Sequence, residues 1–323
     1  MVTPRVRAGW WAAGLLLVGA LGAGAWWHRA PPAWAPPLRL GAGTPDVLPV
    51  PIVTAQPEGA SFQELLQGTS DDWRVARLAL NPKILVIEFP SLAVQGRTLN
   101  RLAALVEKHH APRDRVLGDD ELARFIKQGG DSPETFYFGH DYPAEALARF
   151  FTLAVNQQVR LNELELRLGN LLLSSKLLKE QNDRLLAGDE RQALVTFTAL
   201  QKDDPGTKAD ESVDTQRRIT ILRHELSHGE FFTNAAYRAH CWTFWQGLTD
   251  EERKLFREFL VKQDYDPRNE ELMVNEGQAF LMHTPDQRAF SATLLGVPAA
   301  RLDDLRARFR VGMPASIFSA IGQ

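Results

Sequence analysis

The chain has 323 residues, 44% of them hydrophobic and 24% charged, with 37 basic against 40 acidic residues for a net charge of −3. This is a globular composition, long enough for one large domain or two modest ones, and without a basic face it argues against nucleic acid as a partner. The single cysteine, Cys241, excludes an intrachain disulfide and leaves the redox compartment open.

Residues 8–27, AGWWAAGLLLVGALGAGAWW, are twenty in number, carry no charge and follow Arg5 and Arg7. At about 1.5 Å per residue they span about 30 Å, the thickness of a bilayer core, and tryptophan pairs sit at both ends, where amphipathic rings favour the headgroup layer. The stretch reads as a single-pass anchor. The alternative is a cleaved signal peptide, for which Ala23-Gly24-Ala25 has the small-x-small form. Either reading places the rest of the chain on the extracytoplasmic side of the membrane. Residues 31–37, PPAWAPP, are a stiff spacer. The prolines that follow permit a loop or an edge strand but exclude a central one.

Residues 73–80 and 83–89 are expected as strands joined at Asn81-Pro82, and the near-continuous apolar run ILVIEF suits a strand buried on both faces. Ser91 lacks the tight Gly-x-Ser-x-Gly turn of a serine-hydrolase elbow. From Arg97 the spacing of Leu99, Leu102, Leu105 and Val106 predicts a helix. A second runs through LGDDELARFIKQGG to Gly129-Gly130. Asp141 is placed as the cap, and Pro143 in the first turn, of a third. Asn162-Glu163-Leu164-Glu165 opens a long helix, carried by Leu171, Leu172, Leu173, Leu177 and Leu178 as far as Gly188. KDDPGTKADES is a polar break near residue 205. Beyond it the pattern is helical: Asp214 caps a helix to about Phe232, 235–248 form a second, Thr249 opens a third ending near Tyr265, Asn269 opens a fourth stopped by Thr284-Pro285, and two short helices precede Gly312 and Pro314. The expected organisation is a membrane segment (1–30), a proline-rich linker (31–60), an α+β or helical region (61–205) and a helical metal-binding region (206–323).

Within RHELSHGEFF, His224 and His228 stand four apart, on one helical face and about 6 Å from each other. Imidazole is a good Zn2+ ligand, and a catalytic zinc takes three protein ligands plus water. Glu225 lies one step round the helix, where a carboxylate can take a proton from that water. The bland alternative is a solvated polar helix face. A third ligand separates the two readings. Phe231 and Asn234 exclude a ligand histidine continuing from the motif. Asn275-Glu276 lies in the otherwise apolar LMVNEGQAFLMH, forty-eight residues after His228, and an inward Glu276 would be costly unless a cation or proton met it. Glu270, Glu271 and His240 are the fallback ligands.

The pairing of an HExxH helix with a downstream Asn-Glu helix, over about residues 214–285, resembles the gluzincin branch of the zincin metallopeptidases. The resemblance implies that His224, His228 and Glu276 bind Zn2+ and that Glu225 is the general base of a peptidase acting on a peptide or protein. It implies a fold that is mainly α, of the α+β class, with a helical zincin-like C-terminal half and a small strand-containing N-terminal region. The chain departs from the pattern in having no Asp shortly after Glu276 to orient a ligand histidine, so that partner must come from elsewhere, with Asp214 and Asp264 as candidates. Tyr237, His240, Tyr265 and His283 are candidate oxyanion donors. His140, in FYFGHDY, reads as a loop histidine beside a helix cap, or as a residue lining the cleft. His109-His110 reads as a helix end and Cys241 as a small core residue. The competing function is a non-catalytic envelope protein whose helices bind a partner. The sequence leaves the oligomeric state open.

Overall fold

The computed structural model describes residues 57–68, 71–181, 184–204, 206 and 210–321. The apolar stretch at 8–27 lies outside them. Among the described residues no helix is long and apolar enough to cross a membrane. The elements run β1 (Gly59–Ala60), α1 (Phe62–Gln67), β2 (Arg74–Leu78), β3 (Asn81–Phe89), α2 (Leu92–Val106), α3 (Asp119–Gly129), β4 (His140–Pro143), α4 (Ala144–Asn156), α5 (Glu163–Ser174), β5 (Leu178–Gln181), β6 (Arg184–Ala187) and β7 (Ala193–Thr198). They continue as α6 (Thr215–Thr233), α7 (Ala235–Gly247), α8 (Asp250–Val261), α9 (Glu270–His283), α10 (Ala292–Leu295), α11 (Ala299–Arg310) and α12 (Ile317–Ile321). Among the described residues helix accounts for 53% and strand for 14%. The strands are concentrated before residue 200 and the helices after it, so the architecture is α+β.

One five-stranded mixed sheet, in the order β1-β2-β3-β7-β4, organises the fold. The ILVIEF run forms its centre: β3 pairs antiparallel with β2 and parallel with β7, and Ile84, Leu85, Val86, Ile87 and Phe89 are fully buried. Alternate side chains enter different cores. Leu85, Ile87 and Phe89 join Leu99 and Leu102 of α2, Leu147, Phe150 and Phe151 of α4, and Leu168 and Leu172 of α5. Ile84 and Val86 join Val195 and Phe197 of β7 and Leu222 and Leu226 of α6. The sheet is thus sandwiched between α2/α4/α5 and α6. At full burial each such aliphatic or aromatic side chain contributes roughly 1.5–3 kcal/mol. Gly229 lets α6 approach closely: a Cβ there would lie 2.9 Å from Ile84 Cδ1 and 3.1 Å from Val195 Cγ2. Helices α7, α8, α10 and α11 close a third apolar core against α9 and the end of α6, around Tyr237, Trp245, Phe256, Phe259, Phe280, Phe290 and Phe309.

Several expected boundaries move. Helix α2 starts five residues before Arg97, capped by the Ser91 hydroxyl, which accepts from Val94 N. The helix opened by the Asn162 capping box ends at Ser174 instead of continuing to Gly188. Lys176 turns the chain through a left-handed φ of 62°, and Leu177 and Leu178 enter the core from the β5–β6 hairpin that follows. Residues 140–143 form a strand instead of a helix cap. Pro143 ends β4 and is itself the N-cap position of α4, with no side-chain cap. Helix α8 ends at Val261, short of Tyr265, and His109-His110 lies past the end of α2, in a turn. The capping residues Asp214, Thr249 and Asn269 all hold, each accepting from a first-turn amide.

Candidate metal centre

Helix α6 is buried on all sides where the motif lies, with Leu222 and Leu226 on the sheet side and His224 and His228 facing α9. The two rings are 4.7 Å apart between centroids and inclined at 80°. Glu276, on α9, points inward between them: its Oε2 lies 3.6 Å from His224 Nε2 and its Oε1 3.7 Å from His228 Nε2. Ligands at about 2.0–2.1 Å round a tetrahedral Zn2+ stand about 3.3–3.5 Å from one another, so each histidine–glutamate distance is within a few tenths of an ångström of a shared ion, and the three groups offer ligand atoms within 4.8 Å of one another. All three are buried, between 1% and 4% exposed, and Glu276 Oε2 has no hydrogen-bond partner. Burial holds the imidazoles far below the usual histidine range, His224 to about 3 and His228 to about 4. Both rings are therefore neutral lone-pair donors near pH 7, and neither supplies a full positive charge to the Glu276 carboxylate. An orphaned buried carboxylate oxygen between two neutral imidazoles is what a divalent cation would satisfy.

The hydrogen bonds around His224 fix its tautomer. Thr284 Oγ1 donates to the Ala279 carbonyl at 3.0 Å. Its proton is thereby committed, so at 2.8 Å from His224 Nδ1 it accepts from the ring N–H. His224 consequently carries its proton on Nδ1 and presents the Nε2 lone pair to Glu276. The ring's orienting partner is thus a hydroxyl at the end of α9, not a carboxylate. Asp214 serves as the α6 cap and pairs with Arg288, while Asp264 pairs with Lys108. Asn275 lies against His228 and Tyr265 hydrogen-bonds Glu276, each favouring the charged form of its neighbour.

Glu225 is 2% exposed and rests on the backbone of Gly139, where a Cβ would come within 2.5 Å of Glu225 Oε1 and 2.7 Å of its Cγ. Its carboxyl hydrogen-bonds that of Asp141 on β4, and Asp141 Oδ2 stands 3.7 Å from His228 Nε2. Burial first, then neighbouring carboxylates, hold both carboxyls well above the ordinary range. Glu107, at the C-cap of α2, hydrogen-bonds Tyr142 and Tyr137 and is pushed up to about 8 by burial and by Glu276. The centre therefore gathers four acidic groups, Glu107, Asp141, Glu225 and Glu276, around two histidines.

The sequence singled out His224, Glu225, His228 and Glu276, and the fold brings these four together. It does not bring the fallback ligands. Glu270 accepts from Trp245 Nε1 at 2.5 Å, Glu271 pairs with Arg238 at 2.8 Å, and His240 bonds the Phe309 carbonyl at 2.6 Å. Of the candidate oxyanion donors, Tyr265 reaches the ligand set through Glu276. Tyr237 and His283 belong to a separate buried network in which Tyr237 Oη bonds Gln278 Oε1 at 2.7 Å and His283 Nε2 at 2.8 Å. His140 is a buried strand residue bonded through Nδ1 to Tyr142 Oη at 2.9 Å, not a loop histidine; its neighbour Asp141 is the residue that reaches the centre. Asp141, Glu107 and Thr284 were not singled out. Comparisons of the chain with protein-family models, with curated proteins and with solved structures return no match.

Proposed function

We propose that the chain is a zinc-dependent hydrolase, and specifically a metallopeptidase, held at or exported across a membrane by its N-terminal apolar stretch and acting on a peptide or protein outside the cytoplasm. The observation that carries this reading is the convergence of His224 Nε2, His228 Nε2 and Glu276 at 3.6–3.7 Å, with an orphaned carboxylate oxygen among them and Glu225 beside them. Zn2+ held by these three residues would supply Lewis acidity to a carbonyl and acidify water. The residues do the rest. Thr284 fixes the His224 tautomer, and Tyr265 and Asn275 steady Glu276 and His228. Glu225, pinned over Gly139 and beside Asp141, would be returned to its ionised form by the charge of a bound cation, and would then take a proton from water and return it to the leaving amine.

A second reading, a non-catalytic envelope protein that binds a partner through its helices, draws on one observation: all four motif side chains are nearly inaccessible, at 1–4% exposure. Purified protein separates the two. On the peptidase reading the chain binds zinc at this centre, His224→Ala abolishes that binding, and Glu225→Gln keeps the metal while abolishing cleavage of a peptide library. Zinc retention with no Glu225-dependent cleavage would favour the scaffold. Protease protection on intact cells tests the extracytoplasmic placement, and a protected, cytoplasmic domain would overturn it.

A further inference from the structure

His109 and His110, on the turn after α2, come together with Asp264, on the α8–α9 connector, so that one ligand atom from each lies within 4.8 Å of the others. The two imidazoles face each other with His109 Nδ1 and His110 Nε2 3.2 Å apart, close to the separation of two nitrogens on one Zn2+ ion. On the other side of His109, Asp266 Oδ1 stands 3.7 Å from Nε2, beyond hydrogen-bond distance but near enough to serve as an orienting carboxylate if the ring turns toward it. Asp264 takes a left-handed φ of 67° in the turn that ends α8, where its amide donates to the Val261 carbonyl at 3.0 Å, a conformation aspartate adopts more readily than most residues. Lys108 Nζ lies 3.7 Å from Asp264 Oδ2 and 3.7 Å from Asp131 Oδ2, and Arg268 pairs with Asp266 at 2.9 Å.

We infer that His109, His110 and Asp264 form a second site for a divalent transition metal, Zn2+ by its ligand set, distinct from the buried centre. Two imidazoles and one carboxylate select zinc-like ions over Mg2+ or Ca2+, which take oxygen ligands. His110 is exposed, and His109 and Asp264 are half-buried, so the site exchanges metal with solvent more readily than the buried one. Its position gives it a consequence. The residue before the Lys108–His110 turn is Glu107 and the residue after Asp264 is Tyr265, and both act inside the buried centre. A metal here clamps together the two segments that carry them. The inference stands on this cluster alone and does not depend on the hydrolase reading.

The test uses the full metal-free chain and Zn2+ alone, at pH 7.5, followed by calorimetry and by equilibrium dialysis. Wild type should bind two equivalents. His224→Ala should lose the tighter and keep the weaker. His110→Ala, at an exposed position, should lose the weaker and keep the tighter, with an unchanged melting temperature in the metal-free state. Asp266→Asn should weaken the second equivalent about tenfold or more. Imidazole 15N shifts of wild-type His109 and His110 on zinc addition give a readout free of any variant. A wild type whose only equivalent survives His110→Ala, a second equivalent that survives His110→Ala, or 15N shifts that do not move would each overturn the inference. Loss of the tighter equivalent in wild type would count against the buried centre and leave this one standing.

Discussion

Replacing Thr284 with valine keeps the shape of the side chain and deletes the hydroxyl that accepts from His224 Nδ1–H at 2.8 Å while donating to Ala279 at 3.0 Å. Two consequences follow. The buried ring N–H loses its partner while the Ala279 carbonyl keeps its bond within α9, a destabilisation of about 1–3 kcal/mol, which lowers the melting temperature of a protein of this size by about 2–4 °C per kcal/mol. The imidazole is also no longer held in the tautomer that turns the Nε2 lone pair toward Glu276. Removing such an orienting partner typically costs about 10–100-fold in metal affinity, or about 1.4–2.7 kcal/mol. Competition against a chromophoric chelator measures this directly, without any knowledge of the substrate. Thr284→Val should bind zinc at the buried centre 10- to 100-fold more weakly than wild type (by the orienting-partner figure above, roughly), and Thr284→Ser should bind close to wild type. A valine variant with wild-type affinity would refute the assignment of Thr284 as the group that sets the His224 tautomer.

Gly139→Ala places a Cβ 2.5 Å from Glu225 Oε1. Relieving that contact displaces the carboxylate by up to about 1 Å, and a misplacement of that size costs about a hundredfold in rate; zinc content should be unchanged while peptide cleavage falls. Saturating zinc, at about a thousandfold over its dissociation constant, should stabilise wild type by about 4 kcal/mol, and calorimetric scans should show most of this gain vanish in Glu276→Gln. The metal-free Glu276→Gln protein should melt no lower than metal-free wild type, because it no longer buries an unmatched carboxylate. Asp131 is raised to about 6 from its ordinary 3.8, chiefly by burial and against the pull of Lys108. Its folded form therefore holds a proton that the unfolded chain releases, so stability present below about pH 4 is lost as pH rises through about 6. The loss amounts to about 3 kcal/mol, and denaturant titrations should find this segment of the pH profile flattened in Asp131→Asn.

How much of this was legible in the sequence follows from which interactions are local. The helices of the second half were readable because capping is a short-range hydrogen bond: Asp214, Thr249 and Asn269 each satisfy the amide three residues ahead. The ligand pair His224/His228 was readable because i and i+4 share a helical face, and Glu276 because a lone acid in an apolar helix demands a counter-charge. The over-extended helix shows where periodicity misleads. Leu177 and Leu178 keep the apolar spacing of Leu171 to Leu173, yet they reach the core from a hairpin after the chain turns at Lys176. The strand Ala193–Thr198 carried a β-branched and aromatic signal in LVTFT, but its parallel partner β3 lies a hundred residues upstream, beyond any local pattern. Strand β4 was hidden by its length of four residues and by Pro143, which is tolerated because the strand is at the sheet edge. With β4 unseen, Asp141 had no reason to be placed beside Glu225. Thr284 was readable as a helix stop and not as a ligand's partner, because the pattern sought for that role was an acid.

The most direct test of the three-residue centre is X-ray absorption at the zinc edge, on full-length protein carrying His110→Ala and loaded below one equivalent, so that the buried site fills alone. The spectrum should show two imidazole rings with nitrogen and oxygen neighbours at about 2.0–2.1 Å and no sulfur, and adding His224→Ala should remove the signature of one ring together with most of the bound metal. A two-imidazole spectrum that survives His224→Ala, or a sulfur neighbour from Cys241, would contradict the account.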